Sequence, residues 1–226
     1  MKKTILSLSS IFLFTGTVIF ASSCTKETTI NENDANGVIN SAVLTSQINS
    51  LPVEPLSAAE IAGLVYLREE EKLARDVYYK LYEKYSARVF NNIYNSEITH
   101  SNAVLQLLNK YQIPDPVGAN AIGVFKDTAL QNLYNSLITK GNISLQNAYV
   151  VGATIEDVDL YDLKIKVAVV DNQDIKLVYD MLAKGSRNHM RAFYKNLLYT
   201  GMTYVPQYIT QAELDAIINS PTETGF

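Results

Sequence analysis

The chain has 226 residues, with 23 acidic against 19 basic side chains and a formal net charge of −4. This mildly acidic balance, with no basic stripe, argues against nucleic acid as a partner, because phosphate binding needs clustered Lys and Arg. A single cysteine, Cys24, rules out an internal disulfide and a zinc–cysteine cluster, and no glycine-rich phosphate loop is present.

In chain order the first element is a leader. Lys2 and Lys3 precede a largely apolar run from Ile5 to Phe20, and Ala21, Ser22 and Ser23 lead to Cys24. That order predicts a secretory signal peptide over residues 1–23. The run is too short and wrongly flanked to span a membrane. A cysteine directly after small residues resembles the lipid-modified cysteine of bacterial lipoproteins, although Ala21 stands where those signals usually carry leucine. An acylated Cys24 would hold the protein to the cell envelope, at the periplasmic or outer membrane face, without a spanning helix. Residues 24–56 are rich in Thr, Asn, Ser and Glu and lack an apolar period, which predicts a flexible tether. Residues 57–220 fit one domain, and 221–226 read as a disordered tail.

Within the domain helical periodicity dominates. Ser57 and Glu60 form a capping box that opens the first helix. Leu64, Leu67, Glu71, Ala74, Tyr78, Leu81 and Tyr85 then recur at spacings of three and four, a single seam facing a partner helix. A turn at Ser86 to Arg88 leads to a second seam: Phe90, Ile93, Glu97, His100, Val104, Leu107 and Tyr111, ended by Pro114 and Pro116. So short a link predicts antiparallel neighbours. The next segment is longer than a turn and carries a lesser helix over Thr128 to Lys140. A third long helix starts near Ser144 and runs through Tyr149, Gly152, Glu156, Asp159 and Leu163. Val151, Ile155 and Val158 mark a second apolar stripe on it. Ile165 to Val170 could pass for a strand, but no partner strand exists, so it reads as the helix end. Asp171 and Asp174 suggest the start of a fourth helix, with the seam Ile175, Tyr179, Leu182, Ser186, His189, Phe193 and Leu197. Gly185 inside it costs about 1 kcal/mol against alanine, which packing must offset. Gly201 ends this helix, and Thr210 with Glu213 caps a last short one. Four long helices with an extended crossover between the second and third predict an all-α, ferritin-like antiparallel four-helix bundle with a short C-terminal helix.

The polar residues within the seams carry the chemistry. Glu71, Glu97, His100 and His189 sit between apolar positions, and charges in a bundle core are costly unless paired or metal-bound. Glu97 and His100, three apart, project from one helix face and can reach one metal pair. Such oxygen and nitrogen donors suit iron or manganese. Glu69 and Glu70 read as a solvated acidic edge, with Glu70 near enough to exchange with Glu71 as a ligand. Arg75 and Arg191 read as surface pairs.

These residues also carry a family resemblance. EKLARDVY (Glu71 to Tyr78) resembles the first-helix motif of rubrerythrins and bacterioferritins, and SEITH (Ser96 to His100) their second-helix Glu-x-x-His. IEDVDLYDL (Ile155 to Leu163) stands where the third-helix glutamate is expected, and GSRNHMRAF (Gly185 to Phe193) corresponds to the last helix. With FNNIYNSE from Phe90 and YVPQY from Tyr204, the combination over residues 58–218 is similar to a poorly characterised family of bacterial ferritin-like domains. The resemblance implies a site for two iron ions, or manganese, held by Glu71, Glu97, His100, Glu156 and His189. Ser186 departs from the pattern by replacing the glutamate three before the last histidine, and Asp159 is the residue expected to supply the missing carboxylate. Tyr78, one turn away, is expected to hydrogen-bond a ligand or donate an electron, or simply to pack in the core. Oxygen or peroxide is the implied co-substrate, and a homodimer is left open. Three readings follow: a di-iron oxidase or peroxidase, a non-catalytic envelope module that scavenges metal or binds a partner, or a structural bundle with no metal.

Overall fold

The structure, a computed structural model, describes residues 37–225. The leader and Cys24 lie outside the described residues. Those described form seven helices and no strand: α1 (Ser41–Ser50), α2 (Ala58–Tyr85), α3 (Arg88–Lys110), α4 (Thr128–Gly141), α5 (Leu145–Val167), α6 (Gln173–Tyr199) and α7 (Gln211–Ile218). Among them no helix is long and apolar enough to cross a membrane.

Local signals set most boundaries. The Ser57 hydroxyl accepts from Glu60 N–H (3.2 Å), and the Glu60 carboxylate accepts from Ser57 N–H (2.8 Å), closing the expected capping box. Ser86 ends α2 in the left-handed conformation, with its N–H on Tyr82 O. Ser144 caps α5 by accepting from Asn147 N–H (3.1 Å). The cap of α6 is Asn172, one residue beyond the expected Asp171. Asp174 instead accepts from Lys110 Nζ (2.6 Å) and the Tyr111 hydroxyl (2.8 Å). The apolar run after Lys164 stays helical to Val167 and then turns, as its lack of a partner strand predicts.

The four long helices form a bundle. Arg68 on α2 reaches Ser101 while Tyr78, further along, meets Phe90, so α2 and α3 run antiparallel. Glu156 faces His189 while Gly152 abuts Phe193, which gives α5 and α6 the same relation. Contacts of α2 with α5 and of α3 with α6 complete the square, and α4 lies across α2 and α5. The core falls into two apolar clusters. Tyr78, Phe90, Tyr149 and Phe193 belong to one, and Leu64, Val104, Leu107, Tyr179 and Leu182 to the other. Between them runs a layer of buried acids and histidines. Nearly all of α5 from Val151 to Leu160 is buried, because α2, α4, α6 and the 204–209 segment cover it from several sides. Its second apolar stripe is explained by that enclosure.

Three expectations need correction. The segment expected to be a flexible tether is ordered from Gly37 onward and includes α1. Asn40 caps that helix, and Leu44 and Ile48 are buried against the Val104 and Leu107 side of the core. Lys110 Nζ holds its end by donating to Ile48 O (2.9 Å) and Leu51 O (3.1 Å). The tail beyond Pro221 is docked, with Glu223 paired to Arg187 (2.6 Å) and Arg191 (2.9 Å), so Arg191 is a clasp and not a loose surface charge. Glu69 and Glu70 are buried within α2 and form no solvated edge. Glu69 accepts from the N–H groups of Lys126 (2.6 Å) and Asp127 (3.0 Å), which fixes the start of α4.

Glu60 links the beginnings of α2 and α6, because its second oxygen accepts from Asp171 N–H (3.2 Å) and Asn172 N–H (3.3 Å). Burial pushes its pKa up, but the Ser57, Asn172 and Asp171 donors outweigh burial and hold it below the usual carboxylate range. A lowered folded-state pKa gives stability that is present above the unfolded pKa and is lost as pH falls through the folded one. Glu60→Gln should therefore cost about 1–2 kcal/mol at neutral pH. In urea unfolding, the gap from wild type should close as the pH drops into the acid range.

Candidate metal centre

The central layer takes one or two side chains from each long helix: Glu71 from α2, Glu97 and His100 from α3, Glu156 from α5 and His189 from α6. All five are at most 2% exposed. Helical spacing brings them together, since each lies on the inward face of its helix. His100 Nδ1 is 3.0 Å from Glu97 Oε2 and 3.4 Å from Glu71 Oε2. His189 Nδ1 is 2.9 Å from Glu97 Oε1 and 3.4 Å from Glu156 Oε2. The result is two groups, Glu71–Glu97–His100 and Glu97–Glu156–His189, each compact enough to hold a metal ion and sharing Glu97.

The outer side of both imidazoles is fixed. His100 Nε2 lies 2.8 Å from the Gly37 carbonyl, which can only accept, so Nε2 carries hydrogen and Nδ1 is the nitrogen turned to the acids. The Ser96 hydroxyl lies 3.0 Å from His189 Nε2 and 3.3 Å from His100 Nε2, and ties the two rings together. The rings stack with centroids 5.3 Å apart. Two glycines make this packing fit. A Cβ on Gly185 would lie 2.4 Å from His100 Cε1, so the glycine that weakens α6 is what admits the ring. Gly37 has φ +76°, and a Cβ there would lie 2.8 Å from His189 Nε2.

Tyr78 is fully buried and donates its hydroxyl to Glu156 Oε1 (2.5 Å), which leaves Glu156 Oε2 facing His189. Glu71 Oε2, both Glu97 oxygens and Glu156 Oε2 take no backbone N–H or hydroxyl donor among the described residues, and the groups set against them are the two imidazoles, at 2.9 to 3.4 Å. Buried acids served by imidazoles alone leave a layer whose charge has to be balanced within itself. The electrostatics agree. Burial raises the Glu71 pKa to about 8, against the lowering effect of His100. Burial would also raise Glu97, but the two imidazoles hold it below the usual carboxylate range. Burial would lower His189, but Glu156 and Glu97 raise it to about 10. Protons thus do part of the work of balancing this charge, and cations placed between the same atoms would replace them.

Asp159, expected to complete the ligand set, is buried on α5 but lies outside both groups. Ser186 donates to Leu182 O (3.2 Å) and contributes nothing inward. The acid between the two inward residues of α5 has a different task. Asp157 is fully buried and accepts from the Tyr204 hydroxyl (2.8 Å) and the N–H groups of Gln207 (2.6 Å), Tyr208 (3.2 Å) and Ile209 (2.8 Å). Sequence reasoning missed Asp157, Gly37 and Ser96. Only Ser96 carries a local signal, standing four residues before His100 on the same face.

Residues 60–221 match the uncharacterized protein domain DUF2202. The chain belongs to this family. All five central side chains fall within the DUF2202 region, whereas Gly37 and α1 precede it. The chain is 53% identical over 179 residues to the uncharacterized protein MJ0754 of Methanocaldococcus jannaschii, covering 79% of this chain and 97% of that relative. It also resembles the crystal structure of hypothetical protein MJ0754 from Methanococcus jannaschii, with TM-score 0.75 and 53% identity over 76% of this chain and 99% of that one. The bundle is therefore shared with an archaeal protein over nearly the whole length of the latter.

Asp157→Ala should leave the Tyr204 hydroxyl and three N–H groups short of an acceptor, at a cost of about 3 kcal/mol. Chemical denaturation should show this loss, and the variant should retain its helical circular dichroism.

Proposed function

We propose that this DUF2202 chain is a ferritin-like bundle whose central layer binds a pair of redox-active divalent metal ions, iron in the first place and manganese as the alternative. The observation that carries the reading is Glu97, one carboxylate shared between two Glu/His groups on opposite sides of the bundle axis, with both imidazoles turned to it through Nδ1. The fit rests on the donor set: carboxylate oxygens and imidazole nitrogens suit iron and manganese, and the oxygens of Glu71, Glu97 and Glu156 that face the imidazoles are the atoms such ions would take. When bound, two ferrous ions supply two electrons for the reduction of oxygen or peroxide.

The chain's own residues prepare that chemistry. Glu97 would be shared between the ions, Glu71 and His100 would hold one of them, and Glu156 and His189 the other. Gly37 and Ser96 hold the rings in register, and Tyr78 orients Glu156 through its hydroxyl. The two apolar clusters exclude bulk water from above and below. One observation favours a second reading, a metal-binding module without oxidation chemistry: α6 offers Ser186 where a further carboxylate would stand, and its hydroxyl is spent on Leu182 O. For location we infer a lipid-anchored envelope protein, on the strength of the leader and Cys24 alone. Cys24→Ala should then move the protein from the membrane to the soluble fraction.

Anaerobic ferrous titration of the full chain, followed by air, separates the two readings. Two ions per chain and a new near-ultraviolet band on oxidation support the redox site, and one ion without oxidation supports the second reading. No binding would falsify both. His100→Ala with His189→Ala should abolish binding, whereas Asp159→Ala should keep the stoichiometry of wild type.

A further inference from the structure

One acidic seam in the bundle takes no part in the central layer. On α5, Asp159, Asp162 and Lys166 follow Glu156 along one face, and on α2, Gly63, Tyr66 and Glu70 line the surface opposite. Glu70 is 2% exposed, its oxygens take no N–H or hydroxyl donor among the described residues, and the carboxyl of Asp162 is set beside it. Asp159 is also buried and neighbours Glu70, Glu156 and Glu71. Asp162 neighbours Glu70 and is 19% exposed, so the acids run from the protein surface down to Glu71. They are not gathered tightly enough to join either metal-holding group. Above them opens a pocket of about 530 Å³, lined by Gly63, Tyr66, Glu69, Asp127 and Lys166.

The opposite seam, between α3 and α6, is shut. The Gly37 carbonyl fills the space beside His100, the N–H of Ile39 donates to Thr99 Oγ1 (2.9 Å), and α1 packs on both helices. The aromatic cluster and the leucine-rich cluster close the two ends of the layer. The α2–α5 seam, by contrast, carries acids from the half-buried Asp162 inward to Glu70 and Asp159.

We propose that the seam of Asp162, Glu70 and Asp159 is the route by which divalent cations pass from the Tyr66–Lys166 pocket to the central layer. This inference rests on the metal-binding reading given above. Carboxylates set together in a low-dielectric wall are costly to the folded chain, and they concentrate cations and speed their arrival. Carboxylates spaced too widely for tight chelation pass an ion on instead of trapping it. Lys166 stands at the mouth, 3.1 Å from Asp162 and 4.1 Å from the centroid of the Tyr66 ring. Its ammonium neutralises Asp162 until a cation displaces it, so Lys166 sets the threshold of the route.

Stopped-flow mixing of the full chain with Co(II) alone, followed by the visible absorption of the bound ion, reads loading rate and final stoichiometry together. The double variant Glu70→Gln, Asp162→Asn should load about tenfold or more slowly than wild type and reach the same final stoichiometry. Lys166→Gln should load faster. Thermal melts identify a variant that has lost its fold, and the single substitutions, read the same way, then replace it. A double variant that loads at the wild-type rate overturns the route alone. One that loses equilibrium binding overturns it too, since those acids would then be ligands. No binding of Co(II) by wild type overturns the route and the metal-binding reading together.

Discussion

Glu97 is the constraint on which the bundle's interior depends. A carboxylate at the centre of a helical bundle must be compensated, and its two oxygens face two different imidazoles at 3.0 and 2.9 Å. That demand places His100 one turn along the same helix and His189 on the helix across from it. The rings then require their own space, supplied by Gly185, and their own outer partners, supplied by Ser96 and Gly37. The apolar core is consequently divided, with aromatic packing on one side of the layer and aliphatic packing on the other. Replacing buried charges by a well-packed apolar layer is often neutral or stabilising, so stability alone does not account for these acids and histidines.

The buried acids fall into two kinds, told apart by what fills their oxygens. Glu60, Glu69, Asp76 and Asp157 accept from backbone N–H groups, and each fastens a loop or a helix start to the bundle. Glu71, Glu97 and Glu156 turn oxygens to the two imidazoles, and Glu70 sits against Asp162, with no backbone N–H on these atoms. The first kind buttresses the long connection between α3 and α4 and the segment before α7. With those loops fixed, the second kind can be held in one place despite its mutual repulsion.

Much of this was legible in the sequence. The seams of α2, α3 and α6 are pure three–four repeats, and the acids and histidines that interrupt them could only face inward. Glu71, Glu97, His100 and His189 meet as that spacing requires, and Glu156, singled out by the resemblance of its segment, joins them. Asp159 was harder to place, because α5 is buried on several sides and burial alone does not say which acid faces which neighbour. Glu69 and Glu70 form an edge that reads as surface, yet the loop before α4 covers Glu69 through a contact 57 residues away in sequence. The α1 segment gave no periodic signal, since Leu44 and Ile48 are the only residues of that helix it buries. Its partner contacts, from Lys110 and the Val104 face, are invisible to any local pattern.

Both ends of the described chain arrive at one stretch of α6. Gly37 enters beside Gly185 and His189, while Glu223 clasps Arg187 and Arg191, and Lys184 reaches Gly225. The segments around Gly37 and Glu223 thus lie side by side over the helix that carries His189. They act as the two straps of a buckle, and loosening either slackens the helix beneath both.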